Sequence, residues 1–278
     1  MAASLIDTGT PDLLAALDQG VLTLTMNRPE ARNAMSRAMN QALQDQLAAA
    51  EFNPAVKCIV LTGAGKGFCA GGDVKGMAAA GDPKAATVAA LTLDEAIARQ
   101  RSNQRATAGK LFKMAKPTIA ALPGAAAGAG LALALACDLR LMASTAIMTT
   151  AFARVGYSGD YGGSYFLTQL VGSAKARELY FLSDRVAADE ALRLGLTNWV
   201  CAPEDLAAKT AEIAARLASG PTVAYRYMKE NLNRAMAGEV DDCLDLEATH
   251  HVHCGLTEDH REATQAIVEK REPVFKGR

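Results

Sequence analysis

Residues with chemical potential are concentrated in two glycine-rich stretches, one turn aspartate and one histidine cluster. Residues 61–73 (LTGAGKGFCAGGD) and 123–131 (PGAAAGAGL) each follow a short apolar run of strand type. Glycine at this density belongs where backbone adopts unusual dihedrals or comes close to a ligand. Phosphate is the first ligand to test. Gly63 and Gly65 open like a dinucleotide fingerprint, but Phe68 occupies the third glycine position and no helix pattern follows directly. Lys66 is not followed by Ser or Thr, so the Walker pattern fails too. Asp160 lies in a glycine-bounded turn, YSGDYGG at 157–163. Aspartate there can be a helix cap or turn residue, or a proton-transfer group. His250, His253 and Cys254 have the spacing of one helix face, which would suit a metal. No histidine lies outside 250–260, and the cluster is read as packing or surface, with no metal assigned.

The elements that position these groups are legible from apolar periodicity. Residues 20–26 alternate as a strand, ended by Asn27, Arg28 and Pro29. Met39, Leu43 and Leu47 are four apart, which predicts a helix over 36–52 with Ser36 as its N-cap. Residues 58–61, 118–122 and 138–142 read as further strands, and 74–90 as a loop entering a helix that runs to about Met114. Residues 130–136 alternate Leu and Ala, but without β-branching the stretch favours helix. From about Glu204 the strand signals fade, and helices are expected over 204–219, 223–236, 240–254 and 258–270. These patterns predict a layered α/β core over 1–203 and a helical C-terminal region over 204–278.

Several segments together resemble one family. Residues 27–35 (NRPEARNAM) are similar to the CoA-loop signature of the enoyl-CoA hydratase/isomerase, or crotonase, superfamily. Residues 68–73 (FCAGGD) resemble its first oxyanion motif, and 120–130 (ALPGAAAGAG, with the leading Ala120) its second, continuing to Cys137 and Asp138. Gly162 and Gly163, ALRLGL at 191–196 and VEKREPVF at 268–275 also fit, so the likeness covers 20–276. It implies a ββα spiral core with a helical C-terminal region that trimerises, as a homotrimer or a dimer of trimers.

The resemblance also implies a chemistry. A thioester passing through an enolate places negative charge on its carbonyl oxygen, and the implied donors to that oxygen are the backbone N–H groups of Gly72 and Ala129. Preorganised donors of this kind are each worth about 2.7–4 kcal/mol. Arg32, Ala34, Ala70, Asp73 and Val74 are implied to line CoA, with Phe275 and Lys276 reaching it across a subunit boundary. CoA enters as part of the substrate, with no separate cofactor.

The hydratase pattern breaks at two positions. The glutamates that handle water and proton in hydration fall, residue by residue, on Ala132 and Phe152, neither of which transfers a proton. Asp160 falls where certain family members carry a catalytic aspartate. An apolar acyl pocket would raise its pKa toward acid/base use, and one carboxylate suffices to move a proton between C2 and C4. Isomerisation is therefore the favoured activity. Hydration by another mechanism, hydrolysis or dehalogenation through Asp160, and a non-catalytic CoA-ester binder stay open. An aromatic pocket for dehalogenation could come from Phe152, Tyr157, Tyr161 and Tyr165.

Bulk properties fit this reading. The 278 residues carry 29 Lys plus Arg against 30 Asp plus Glu, a net charge of −1, which argues against nucleic-acid or membrane-surface partners. The longest apolar run, 119–136, is broken by glycines and Pro123 and is not a membrane span. Asp7 and Asp12 near an N-terminus without a basic segment argue against a signal peptide. The six cysteines form no CxxC pair and are expected to be reduced and mostly buried, in a cytoplasmic protein.

Overall fold

The computed structural model describes residues 3–73 and 91–278. Within them, a seven-stranded sheet has the order β1 (Ser4–Ile6), β2 (Leu13–Asp18), β3 (Val21–Met26), β4 (Cys58–Gly63), β6 (Thr118–Leu122), β8 (Leu139–Ala143), β11 (Trp199–Cys201). The first three strands form an antiparallel meander, and from β3 to β11 each neighbour is parallel. A second sheet of four short strands has the order β10 (Val186–Ala187), β9 (Ile147–Thr149), β7 (Ala125–Ala127), β5 (Gly67–Cys69).

The strand alternation read in 20–26 places Leu22, Leu24 and Met26 in the core, with Val21, Thr23 and Thr25 half-buried. Helix α1 (Arg37–Phe52) begins at Ser36, whose hydroxyl accepts from the Met39 amide at 3.0 Å. Its apolar face buries Met39, Leu43 and Leu47, four apart as the sequence spaces them. The helix expected to reach Met114 is instead two, α2 (Leu93–Ala106) and α3 (Ala108–Lys113). The break is Thr107, fully buried, whose hydroxyl turns back to the Asn103 carbonyl at 2.7 Å and competes with the helical ladder. The expected loop over 74–90 lies outside the described residues.

Residues 129–136 form α4 (Ala129–Ala136), a helix buried on every side. All-round burial, with Leu and Ala and no polar face, explains why its alternation did not make a strand. After β9 come α5 (Gly163–Leu182) and α6 (Ala188–Arg193). The C-terminal region holds α7 (Leu206–Ala218), α8 (Thr222–Ala235), α9 (Val240–Gly255) and α10 (Glu258–Glu269). Helix α7 lies on the large sheet, and Leu206, Ala214 and Ala218 join its core. Among the described residues, no helix is long and apolar enough to cross a membrane.

Sequence reading missed β1, β2 and the short strands of the small sheet. Residues 13–18 (LLAALD) hold no β-branched side chain, and strands of two or three residues leave no periodicity to read.

Candidate active site

The small sheet brings the two glycine-rich loops together. Strands β5 and β7 are parallel neighbours, so their carboxyl ends emerge side by side. The first delivers residues 70–72 and the second residues 128–129. Contact there is close enough to require glycine. A Cβ on Gly71, at φ 87°, would stand 2.8 Å from the Ala127 carbonyl oxygen and 3.2 Å from the Ala129 nitrogen. A Cβ on Gly130 would fall 2.5 Å from the Cys69 carbonyl oxygen and 2.6 Å from its Cβ. Both loops therefore abut only because these two positions lack a side chain.

Gly128 caps α4 at φ 53°, ψ −125°, and its amide donates to the Thr149 carbonyl at 3.1 Å. Ala129 is then the first residue of α4, where an amide has no acceptor inside its own helix and the helix end is positive. Gly72 is bridged to Met35, and the Met35 amide donates to the Gly71 carbonyl at 2.8 Å. Cys69, between the loops, has its thiol pushed up to about 12 by burial and stays neutral.

The segment 28–35 is tied to the first loop throughout. The Ala70 amide donates to the Arg32 carbonyl at 3.0 Å, and Arg28 reaches both the Ala34 carbonyl at 2.8 Å and the Asp73 carboxylate at 3.2 Å. Arg32 and Asn33 both take the left-handed backbone conformation. Asn33 is fully buried, and its side-chain amide donates to the carbonyls of Ala64 at 3.0 Å and Gly67 at 2.8 Å while its oxygen accepts from the Arg28 amide. The resemblance puts Asn33 within the CoA-lining segment, but its clamp on two loops leaves no local spacing for sequence reasoning to find. Thus Arg32, Ala34, Ala70, Gly72, Asp73 and Ala129 share one region, while Val74 lies outside the described residues. Phe275 and Lys276 sit elsewhere in the chain, at the start of α10, where the Lys276 amide donates to Asp259 at 2.7 Å.

Asp160 occupies the turn ahead of α5, and its carbonyl accepts from the Gly163 amide at 3.0 Å. One carboxylate oxygen, Oδ1, is buried with no hydrogen-bond partner. Burial raises this carboxyl from the usual aspartate range to about 6. The positions where hydration would need glutamates are apolar and buried: Ala132 is 1% exposed and Phe152 7%. A Cβ on Gly163 would lie 3.3 Å from the Ala132 Cβ and 3.9 Å from the Phe152 ring, so this turn packs against both positions.

The four aromatic residues considered for one pocket do not form one. Phe152 stacks on Tyr180, with centroids 5.7 Å apart. Tyr165 instead pairs with Phe112 and Phe166, Tyr157 is exposed, and the Tyr161 hydroxyl accepts from Asn40 at 3.1 Å. The turn between them takes positive φ at Gly156, Gly159, Tyr161 and Gly162, so neighbours in sequence do not share a direction. In the C-terminal cluster, buried His250 contacts Asn231 through Nδ1 at 2.5 Å and stacks on Tyr227.

Comparison with known proteins agrees with the geometry. The enoyl-CoA hydratase/isomerase family profile matches residues 16–278. The chain is 35% identical over 266 residues to 1,2-epoxyphenylacetyl-CoA isomerase of Escherichia coli K12, covering 96% of this chain and 98% of that protein. It is 32% identical over 256 residues to short-chain-enoyl-CoA hydratase of Clostridium acetobutylicum, covering 90% and 92%. The crystal structure of an enoyl-CoA hydratase from Polaromonas sp. JS666 superposes with a TM-score of 0.85 at 32% identity, covering 95% of this chain and 99% of that one. Two abutting glycine loops, a helix opening at the second of them and full-length relatives place the chain in the enoyl-CoA hydratase/isomerase family.

Proposed function

We propose that this family member is an enoyl-CoA isomerase that moves a double bond with Asp160 as its single proton carrier. The thioester oxygen lies between the N–H groups of Gly72 and Ala129. The Asp160 carboxylate takes a proton from C2 of a 3-enoyl thioester, and the electron pair delocalises onto the oxygen as a dienolate. The same carboxyl then returns a proton to C4, the charge withdraws from the oxygen, and a 2-enoyl thioester is left. Atoms balance without water.

The observation that carries the reading is the unpartnered, buried Asp160 oxygen in a turn whose Gly163 packs against apolar residues at positions 132 and 152. A carboxyl titrating near 6 is ionised enough to accept a proton at neutral pH and basic enough to want it. A relative at 35% identity is named 1,2-epoxyphenylacetyl-CoA isomerase, which supports isomerisation of a CoA thioester in general rather than this double-bond shift in particular.

The substrate brings its own CoA, held along Arg32, Ala34, Ala70, Asp73 and Val74, and no further cofactor takes part. Phe275 and Lys276 complete a neighbouring subunit's CoA site in a homotrimer or dimer of trimers. Met228, Leu232, Leu244, Val252, Leu256 and Ile267, exposed on α8–α10 of the single chain, are the apolar surface that such assembly would cover.

Mass spectrometry of products from a panel of 2- and 3-enoyl-CoAs tests the proposal. Isomerisation leaves the mass of the thioester unchanged while its double bond moves. Gain of a water identifies a hydratase, loss of CoA a hydrolase, and no turnover across the panel a binder.

A further inference from the structure

A second polar atom near Asp160 has no partner: the Tyr180 hydroxyl, on the last turns of α5, is buried and makes no hydrogen bond. Burial raises its pKa, and the nearby Ser164 side chain pulls it back down. Tyr180 is 17 positions from Gly163, and an unbroken helix would hold them about 25 Å apart. They touch because Gly172, at φ 75° and ψ 164°, interrupts α5 and turns its second half back. At Gly163 a Cβ would stand 2.8 Å from the Tyr180 oxygen, and at Gly159 3.2 Å from it. The hydroxyl thus lies over both glycines flanking the Asp160 turn. The ring below it is fixed by stacking on Phe152, and the same Gly163 position adjoins Ala132. Buried unpartnered donors are rare, and each has a reason.

We propose that Tyr180 is a positioning residue for Asp160, its O–H donating to the ionised carboxylate once substrate closes the site and holding it in line with C2 and C4. The inference rests on the reading of Asp160 as the proton carrier. It assigns a purpose to three features at once: the hydroxyl kept without a partner, the two glycines that make room for it, and the Gly172 reversal that brings it there. Among the described residues, the titratable groups that sense the Asp160 charge are Tyr180 and Tyr161, both pushed up to about 12 chiefly by burial, with Cys69 facing Tyr161. Tyr161 differs in that its hydroxyl already accepts from Asn40, whereas the Tyr180 oxygen lies over the two glycines flanking the Asp160 turn.

The test is Tyr180→Phe, assayed with a short 3-enoyl-CoA beside Asp160→Asn and a Tyr165→Phe control. Removing an unpaired buried hydroxyl should leave Tm unchanged or higher. We expect kcat to fall about 10- to 100-fold, the size of a hydrogen bond to a charged group, with KM unchanged. The acid limb of the kcat profile, which reports the enzyme–substrate complex, should move to higher pH, since the carboxylate there loses a stabilising donor; Tyr165→Phe should match the wild type. Wild-type kcat and an unmoved limb in Tyr180→Phe, with Asp160→Asn inactive, would overturn the inference alone. A drop in Tm that accounts for lost activity would mean packing and overturn it too. Wild-type activity in Asp160→Asn would remove the reading of Asp160, and this inference with it.

Discussion

Asp138 and Asp160 are two carboxylates in one fold, and the chain treats them oppositely. Asp138, at the corner between α4 and β8, accepts from the Thr118 amide at 2.8 Å and hydroxyl at 2.9 Å. Its ion pair with Lys229 of α8 is 2.8 Å long, and that ammonium also donates to the Leu111 carbonyl at 2.8 Å. This is a closed network in which every strong donor has an acceptor, and it ties the C-terminal helices to the sheet. Asp160 has a buried oxygen with nothing bonded to it and a raised pKa. On the proposed function, the difference separates a carboxylate that holds structure together from one held ready for a ligand. A satisfied buried charge contributes its partners' geometry, whereas an unsatisfied one costs stability and persists where chemistry uses it.

The comparison can be broken at its structural end first. Lys229→Met leaves Asp138, 28% exposed and still held by Thr118, without its cation, a loss smaller than the roughly 3–5 kcal/mol of a fully buried pair. Denaturant unfolding should show that loss, while the surviving folded enzyme keeps its kcat. A kcat that falls in proportion would erase the distinction. A smaller effect comes from the double variant Asp138→Asn/Lys229→Met. Its destabilisation should fall short of the sum of the two single variants by about 0.5–3 kcal/mol, because each single change strands the other group. Additive losses would mean that the pair is not coupled.

The smallest effect concerns Asp160 and pH. Its folded pKa, about 6, lies above the unfolded value near about 4, so the native state binds the extra proton between them. Stability from this group is complete below the unfolded value and is lost as pH rises through about 6. Asp160→Asn should therefore raise Tm above pH 6, relative to the wild type, with the gain vanishing as pH approaches about 4. A gain that is the same at all pH values would place its origin elsewhere.

How legible each region was follows from how local its signals are. Ser36 capping α1, the alternation in β3 and the strand at 118–122 were readable because their causes lie within a few residues. The glycine loops were readable as motifs, but the contacts that make Gly71 and Gly130 obligatory join strands far apart in sequence. Asp160 is readable as a turn aspartate, while the contact of its turn with positions 132 and 152 joins residues apart in sequence. Tyr180 is invisible in sequence, since its approach depends on a reversal at Gly172 inside α5. The Lys229–Asp138 pair spans 91 positions, and no periodicity reports a contact of that kind.

The most direct test of the central claim is turnover of a 3-enoyl-CoA by the wild type and by Asp160→Asn, with product mass and double-bond position read together. The wild type should yield a 2-enoyl thioester of unchanged mass, and Asp160→Asn should lose about 10²- to 10⁴-fold in kcat while still binding the thioester. A hydrated product, released CoA, or an Asp160→Asn enzyme as fast as the wild type would contradict it.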